Sequence, residues 1–236
     1  MWNRVEIKET AKRVYHTNFW PCVLAGFLLS IADGSAGSAI SSISMNGSED
    51  NLSMGLYPAA IRYIVIGGLI GIVLDIFVLA PLEVGADRFF LFNQLGRGEN
   101  GVRADLGELG FGFNSNYNNV INVQFFRKLY IFLFTLLLII PGIVKSYEYR
   151  MVPYILCERP DISRKEALEI SRQMMDGNKW ETFVYDLSFI GWYLLGAVTL
   201  GIVDLFITLP YVGSANAELY LTIRAQHDLN AGVPLE

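Results

Sequence analysis

Long apolar runs, separated by short stretches dense in charge, set the pattern of this chain. Residues 19–40 carry one charge, Asp33, and residues 56–82 carry two, Arg62 and Asp75. At 1.5 Å per residue, each run is long enough for a hydrocarbon core of ~30 Å. A third run, LLLIIPGIVKSYEYRMVPYIL over 136–156, halts at Pro141-Gly142 and takes on Lys145, Glu148 and Arg150 before turning apolar again. A fourth, 183–224, is too long for one span and breaks at Thr199-Leu200-Gly201.

Charge asymmetry decides how these runs are threaded. The loop SAGSAISSISMNGSEDNLSMG holds no Lys or Arg, whereas Arg4, Lys8, Lys12 and Arg13 precede the first run and Arg88, Arg97, Arg103, Arg127 and Lys128 follow the second. Basic residues stay on the cytoplasmic side, so the N-terminus is expected inside and the Ser-rich loop outside. A single span over 129–157 would export Arg159, Arg164, Lys165, Arg172 and Lys179. Two spans, 128–140 and 142–157, return the chain to the correct side through a turn at Pro141 and Gly142. Proline fixes φ there and glycine tolerates φ > 0. The same logic folds 181–224 into a hairpin about Gly201, with Pro210 as a further hinge. The expected fold is therefore all-α: a polytopic helical membrane protein of about six transmembrane helices, arranged as three hairpins (18–95, 128–157 and 181–224). On this threading fifteen of the eighteen basic residues are cytoplasmic or at that edge.

Between the hairpins the pattern changes to amphipathic. Trp2, Val5, Ile7, Ala11, Val14 and Tyr15 fall mostly on one side of a helix opposite Arg4, Lys8 and Lys12, so residues 1–17 are predicted to lie on a membrane surface. Ser163-Arg164-Lys165-Glu166 has the form of a capping box. Ala167, Ile170, Ser171, Met174 and Met175 then share one face, and Gly177 ends the helix. Arg164, Lys165, Met174 and Met175 make this second surface helix, within 158–180, a candidate for recruiting partners. Residues 96–119 read as a polar Gly/Asn-rich loop within a cytoplasmic segment 96–127, and 225–236 as a tail.

Three segments repeat: GIVLDIFVLAP from Gly71, GIVKSYEYRMVP from Gly142 and GIVDLFITLP from Gly201. They suggest three copies of one unit, an amphipathic lead-in helix followed by a membrane hairpin. Asp75, Lys145 and Asp204 take nearly equivalent places in the three copies. If the copies pack about a common axis, one lysine lies between two aspartates, with Glu148 and Arg150 a turn or more beyond. Such an intramembrane cluster has two readings: buried pairs that fix the assembly of the hairpins, or a polar path for an ion, proton or small solute.

Composition narrows the chemistry. The chain has 236 residues, 53% hydrophobic and 17% charged, against about a quarter charged in a soluble domain. A net charge of −5 argues against a nucleic-acid partner. Cys22 and Cys157 imply neither a disulfide framework nor a thiolate metal site. His16 and His227 stand at opposite ends, so no metal site and no histidine-based catalytic triad is expected. Gly96, Gly98 and Gly101 match a dinucleotide fingerprint by letter, but without the strand before and helix after that it requires.

PGIVKSYEYRMVPYIL, RKEALEISRQMMDGNKWETFVYDLSFIGWYLL and TLGIVDLFITLPYV together resemble the signature of a bacterial integral-membrane family known only as domain of unknown function 975. The resemblance implies a polytopic helical membrane protein with no established reaction, substrate or catalytic residues. It departs from the family pattern at Glu148-Tyr149-Arg150, where serines are usual. The expected protein is non-enzymatic, needs no cofactor, and sits in the cell membrane with several passes and both termini cytoplasmic. Its partners are the lipid bilayer and either other membrane proteins or further copies of itself. Its role is transporter-like or accessory to peptide export or self-protection; the alternative is a scaffold that recruits partners through its cytoplasmic amphipathic helices.

Overall fold

The computed structural model describes residues 2–32, 66, 68–96 and 104–230, and among these every regular element is helical. Helix α1 (Arg4–Thr17) starts where Asn3 accepts the Val5 amide at 3.0 Å. It bends by 112° at Asn18 into α2 (Phe19–Ala32). After the undescribed Ser-rich loop, α3 (Gly68–Leu95) returns. A 3₁₀ turn (Leu106–Gly110) and a single helical turn (Phe111–Asn114) lead to α4 (Tyr117–Leu137), α5 (Ile139–Glu148) and α6 (Val152–Glu158). Then come α7 (Arg164–Met174), α8 (Lys179–Leu187), α9 (Ile190–Val198) and α10 (Leu209–Asn230), the last running on into the stretch expected to be a tail.

The C-terminal half of α3 forms the centre, packed against α2, α6, α10 and the 3₁₀ turn. Val84, Phe89, Phe90, Leu91, Leu156, Leu219 and Ile223 are wholly buried there. Around this root the apolar side chains of the hairpins are exposed: Leu69 to Leu74 in α3, Leu136 to Ile140 between α4 and α5, and Leu194 to Ile202 between α9 and α10. Gly68–Leu95 and Tyr117–Leu137 are long and apolar enough to cross a membrane, and α1 with α2 makes a third if the bent pair is one span. The described residues thus establish an all-helical hairpin protein with two or three helices of spanning length, a coarser result than six spans.

Both predicted turns exist, one of them displaced. The third hairpin reverses at Leu200 and Gly201, with φ of 52° and 85°. The second reverses at Leu138, an extended residue with φ −157°, rather than at Pro141-Gly142. Proline is tolerated in the first turn of a helix, where its missing N–H would find no partner anyway, so Pro141 opens α5 instead of making the bend. Gly142 serves contact rather than turning: a Cβ there would overlap Thr135 of the facing arm. Pro210 is likewise the second residue of α10, not a turn.

The repeat is visible in the backbone. Each return arm is irregular just before a proline that stands second in the regular α-helix that follows: Pro81 within the continuous α3, Pro153 in α6 and Pro210 in α10. In the first and third copies the irregularity is a five-residue π segment beginning at the aspartate, Asp75–Leu79 and Asp204–Thr208. Proline cannot donate to the carbonyl four residues earlier. The freed carbonyls are taken by tyrosines from elsewhere: Tyr117 donates to Phe77 O at 2.7 Å, and Tyr15 to Phe206 O at 3.0 Å.

The amphipathic helices exist, but protein covers their apolar faces. Ile7, Ala11, Val14 and Tyr15 are buried in α1, which packs mainly on α10, and Ala167, Ser171 and Met174 are buried in α7. Lys8 donates to Ser188 O at 3.2 Å and lies over the Phe189 ring; burial, and then Arg4, lower its pKa. Of the expected loop, residues 106–114 fold as helical turns onto α3, where Gly85 and Gly112 let the backbones touch.

Replacing Tyr117 or Tyr15 by Phe strands one carbonyl in a π segment. Each substitution should cost about 0.5–1.5 kcal/mol, read as a lower midpoint of thermal unfolding in detergent.

Candidate functional site

The stretch APLEVGADRFFLF (80–92) is apolar except for Glu83, Asp87 and Arg88. Residues four apart share a helix face. Glu83 and Asp87 are both buried in the direction of α4 and α6, at 4% and 5% exposure. Bare carboxylates at such sites are costly, so they hold partners. Arg127 of α4 donates to Glu83 at 2.8 Å and to Gln124 at 2.9 Å. Lys128 lies 2.7 Å from Asp75 and 3.8 Å from Glu83. Tyr154 stands close enough to Asp87 for the two groups to interact electrostatically.

Arg150 stands in the break between α5 and α6 and grips Asp186 of α8 with two nitrogens, at 2.6 and 2.9 Å. It also donates to Asn216 of α10 at 3.0 Å, while Tyr147 donates to Asp186 at 2.8 Å. A planar guanidinium suits this task because its fork matches both carboxylate oxygens. These groups line a half-open cavity of about 350 Å³ whose polar wall includes Glu83, Asp87, Arg127, Tyr147, Arg150 and Asn216. Every hairpin unit contributes: the first its two acids, the second its two arginines, the third Asn216. Arg127 Nε and Gln124 Nε2 are buried donors with no partner among the described residues. Buried donors of this kind are met by water or a bound molecule. The chemistry available is recognition: cationic and amide donors on one side, carboxylates on the other.

The expected meeting of Asp75, Lys145 and Asp204 does not occur. Asp75 pairs with Lys128, and Lys145 with Glu148 three residues along its own helix. Asp204 forms no ion pair among the described residues; its carboxylate is folded against Gly196 of the facing arm, with Oδ1 buried and unpaired. Equivalent sequence positions in the three copies therefore meet different partners. Glu148, 6% exposed, is a hub: Lys179 reaches it at 3.0 Å and Arg172 at 3.9 Å, fastening α7 and α8 to the second hairpin. Arg164 lies 3.8 Å over the Phe126 ring. Met174 and Met175 are core residues at 3% and 0% exposure, which corrects their assignment to a recruiting surface. Lys165 remains exposed. Arg62, Arg97 and the Ser-rich loop lie outside the described residues.

Glu83, Asp87, Arg127, Tyr154 and Asn216 are the site residues that sequence reasoning passed over. The signal was present in Glu83 and Asp87: two acids one turn apart within an apolar helix. Arg127 was read only as part of a basic flank. Among the described residues no group of three His, Cys, Asp or Glu side chains is placed to hold a metal ion.

The sequence profile described as "Protein of unknown function (DUF975)" matches residues 111–227. That segment supplies the cavity's arginines and Asn216, while Glu83 and Asp87 precede it. No curated protein and no solved structure matches the chain.

Arg150→Ala strands Asp186, whereas Arg150→Ala with Asp186→Ala removes both charges. A double-mutant cycle on thermal or denaturant unfolding should therefore give a coupling of about 1 kcal/mol or more, with the double variant less damaged than the sum of the singles.

Proposed function

We propose, for a chain that belongs to the DUF975 family through residues 111–227, a transporter-like and non-enzymatic role in the cell membrane. The reading is of a multi-pass protein with both termini cytoplasmic, its hairpins in contact with the bilayer. A small polar solute carrying both donor and acceptor groups is held in the charged cavity. One observation carries this reading: three repeated units converge on one cavity of about 350 Å³ lined by charges of both signs. Cavities from about 300 Å³ upward take small ligands, and repeat interfaces are where membrane carriers place their sites. Localisation is supported by the charge asymmetry of the loops and by helices of spanning length.

The scaffold reading, with other membrane proteins or further copies of this chain as partners, loses part of its support. Two of its four recruiting residues, Met174 and Met175, are buried, and Arg164 is engaged with Phe126.

The test uses purified protein in liposomes with a panel of amino acids, short peptides, and small anionic and cationic solutes. At least one solute should raise the unfolding midpoint and cross the vesicle membrane faster than in empty liposomes. Asp87→Asn should cut that flux about tenfold, as expected for losing one charge-assisted hydrogen bond. A panel without flux or thermal shift, or an unaltered Asp87→Asn variant, overturns the reading. Loss of cellular function on Lys165→Ala alone favours the scaffold.

A further inference from the structure

The apexes of the second and third hairpins suit hydrocarbon, and the stretch of each outgoing arm beyond its last polar anchor, Lys128 in α4 and Ser188 after α8, is too short to carry them across it. Residues 135–144 and 195–203 contain no Asp, Glu, Lys, Arg or His. Leu136 through Ile140 are each 62–76% exposed, and Leu200 is 90% exposed. An apex emerging beyond the far leaflet would leave all of this in water, at roughly 25 cal/mol for each Å² of apolar surface.

At the third apex backbone pairing points the same way. In hydrocarbon an unpaired amide costs several kcal/mol, because no water is there to replace a partner. At the third apex every amide from Thr199 to Val203 is satisfied within the turn. Thr199 N bonds Leu195 O at 3.1 Å, Leu200 N bonds Ala197 O at 3.4 Å, and Gly201 N bonds Gly196 O at 2.8 Å. Ile202 N bonds Thr199 O at 3.2 Å, and Val203 N bonds the Thr199 hydroxyl at 3.2 Å. That hydroxyl itself donates to Leu195 O at 3.0 Å. At the second apex Leu138 N reaches Phe134 O and Gly142 N reaches Leu138 O, at 3.0 and 3.2 Å. Pro141 between them has no N–H, while the first two amides of α5, Ile139 and Ile140, bond no described residue.

Arm length sets the depth. Lys128, paired with Asp75, is ten residues before Leu138, or ~15 Å of helix. Ser188, whose carbonyl accepts the Lys8 amine, is twelve residues before Leu200, or ~18 Å. The hydrocarbon core is ~30 Å thick. Asp204, the acid nearest an apex, turns its carboxylate toward Gly196 of the facing arm.

We propose that the second and third hairpins are re-entrant. Both leave the cytoplasmic face, turn near the bilayer midplane and come back, their apexes docked among the acyl chains of that leaflet. The first hairpin crosses, since its Ser-rich loop is the polar one. This rests on the membrane reading above and refines it: the basic segments after the first hairpin stay cytoplasmic without the second or third turn reaching the outside.

The test is labelling by a membrane-impermeant maleimide in cells expressing the full chain. Wild type supplies the background, because Cys22 and Cys157 are buried. Ser48→Cys should label in intact cells. Leu138→Cys and Leu200→Cys, at exposed positions where substitution disturbs no packing, should stay at background in intact cells and in inside-out vesicles, and label after denaturation in detergent. Labelling of either apex from outside overturns the proposal and leaves the membrane reading standing. Apex labelling in inside-out vesicles overturns it as well; if alkaline carbonate also strips the chain from membranes, the membrane reading falls with it. Absence of Ser48→Cys labelling in intact cells removes the crossing assigned to the first hairpin.

Discussion

Wherever water is excluded, each polar group must find its partner inside the protein, and this requirement shapes the molecule at every scale. Prolines just after the irregular stretches of the return arms remove a donor and free a carbonyl; Tyr15 and Tyr117 cross from other elements to take two of those carbonyls. Those bonds do more than satisfy an acceptor. Tyr15 ties the N-terminal helix to the third hairpin, and Tyr117 ties the start of the second hairpin to the return arm of the first. Local defects, repeated with the unit, become the joints of the assembly.

Charges obey the same rule at larger reach. Glu83 with Arg127, Asp75 with Lys128 and Arg150 with Asp186 each link two different helices. Partly buried pairs of this kind contribute little net stability, because desolvation offsets attraction. Their effect is on register: a hairpin that slid along its neighbour would leave a charge unpaired. The cavity arises where these links converge, so the residues that fix the packing also form the polar wall. The structural and functional readings of the buried charges are consequently not exclusive.

Periodicity and charge asymmetry made much of the fold legible. The helical class, the hairpin at Gly201, the capped helix after Ser163 and the threefold repeat rest on patterns confined to a few neighbouring residues. The turn at Leu138 was misplaced because Pro and Gly are turn-forming in general, while the first turn of a helix accepts proline equally well. The amphipathic faces of α1 and α7 were assigned to lipid because an apolar stripe looks the same whether membrane or protein covers it. The cavity was the least legible part. Its residues are spread over 83–216, and pairing by repeat position put Lys145 beside aspartates that the structure places elsewhere. Glu83 and Asp87 alone carried a local signal, since two acids a turn apart in an apolar helix require partners.

The two aspartates that open π segments show how one motif diverges between copies. Asp75 is met by Lys128 at 2.7 Å, a lysine contributed by the neighbouring hairpin. Asp204, in the same place of the third copy, lies against the bare backbone of Gly196, and no described cation pairs with it. A charge at bilayer depth costs roughly 2.5–3.5 kcal/mol on insertion scales. A π segment widens the helix by one residue and rotates the turn before it relative to the turn after it. Asp204 lies on the facing arm, and Gly196 supplies the space. A Cβ at residue 196 would stand 2.0 Å from that carboxylate, so a bare backbone there is what gives it room.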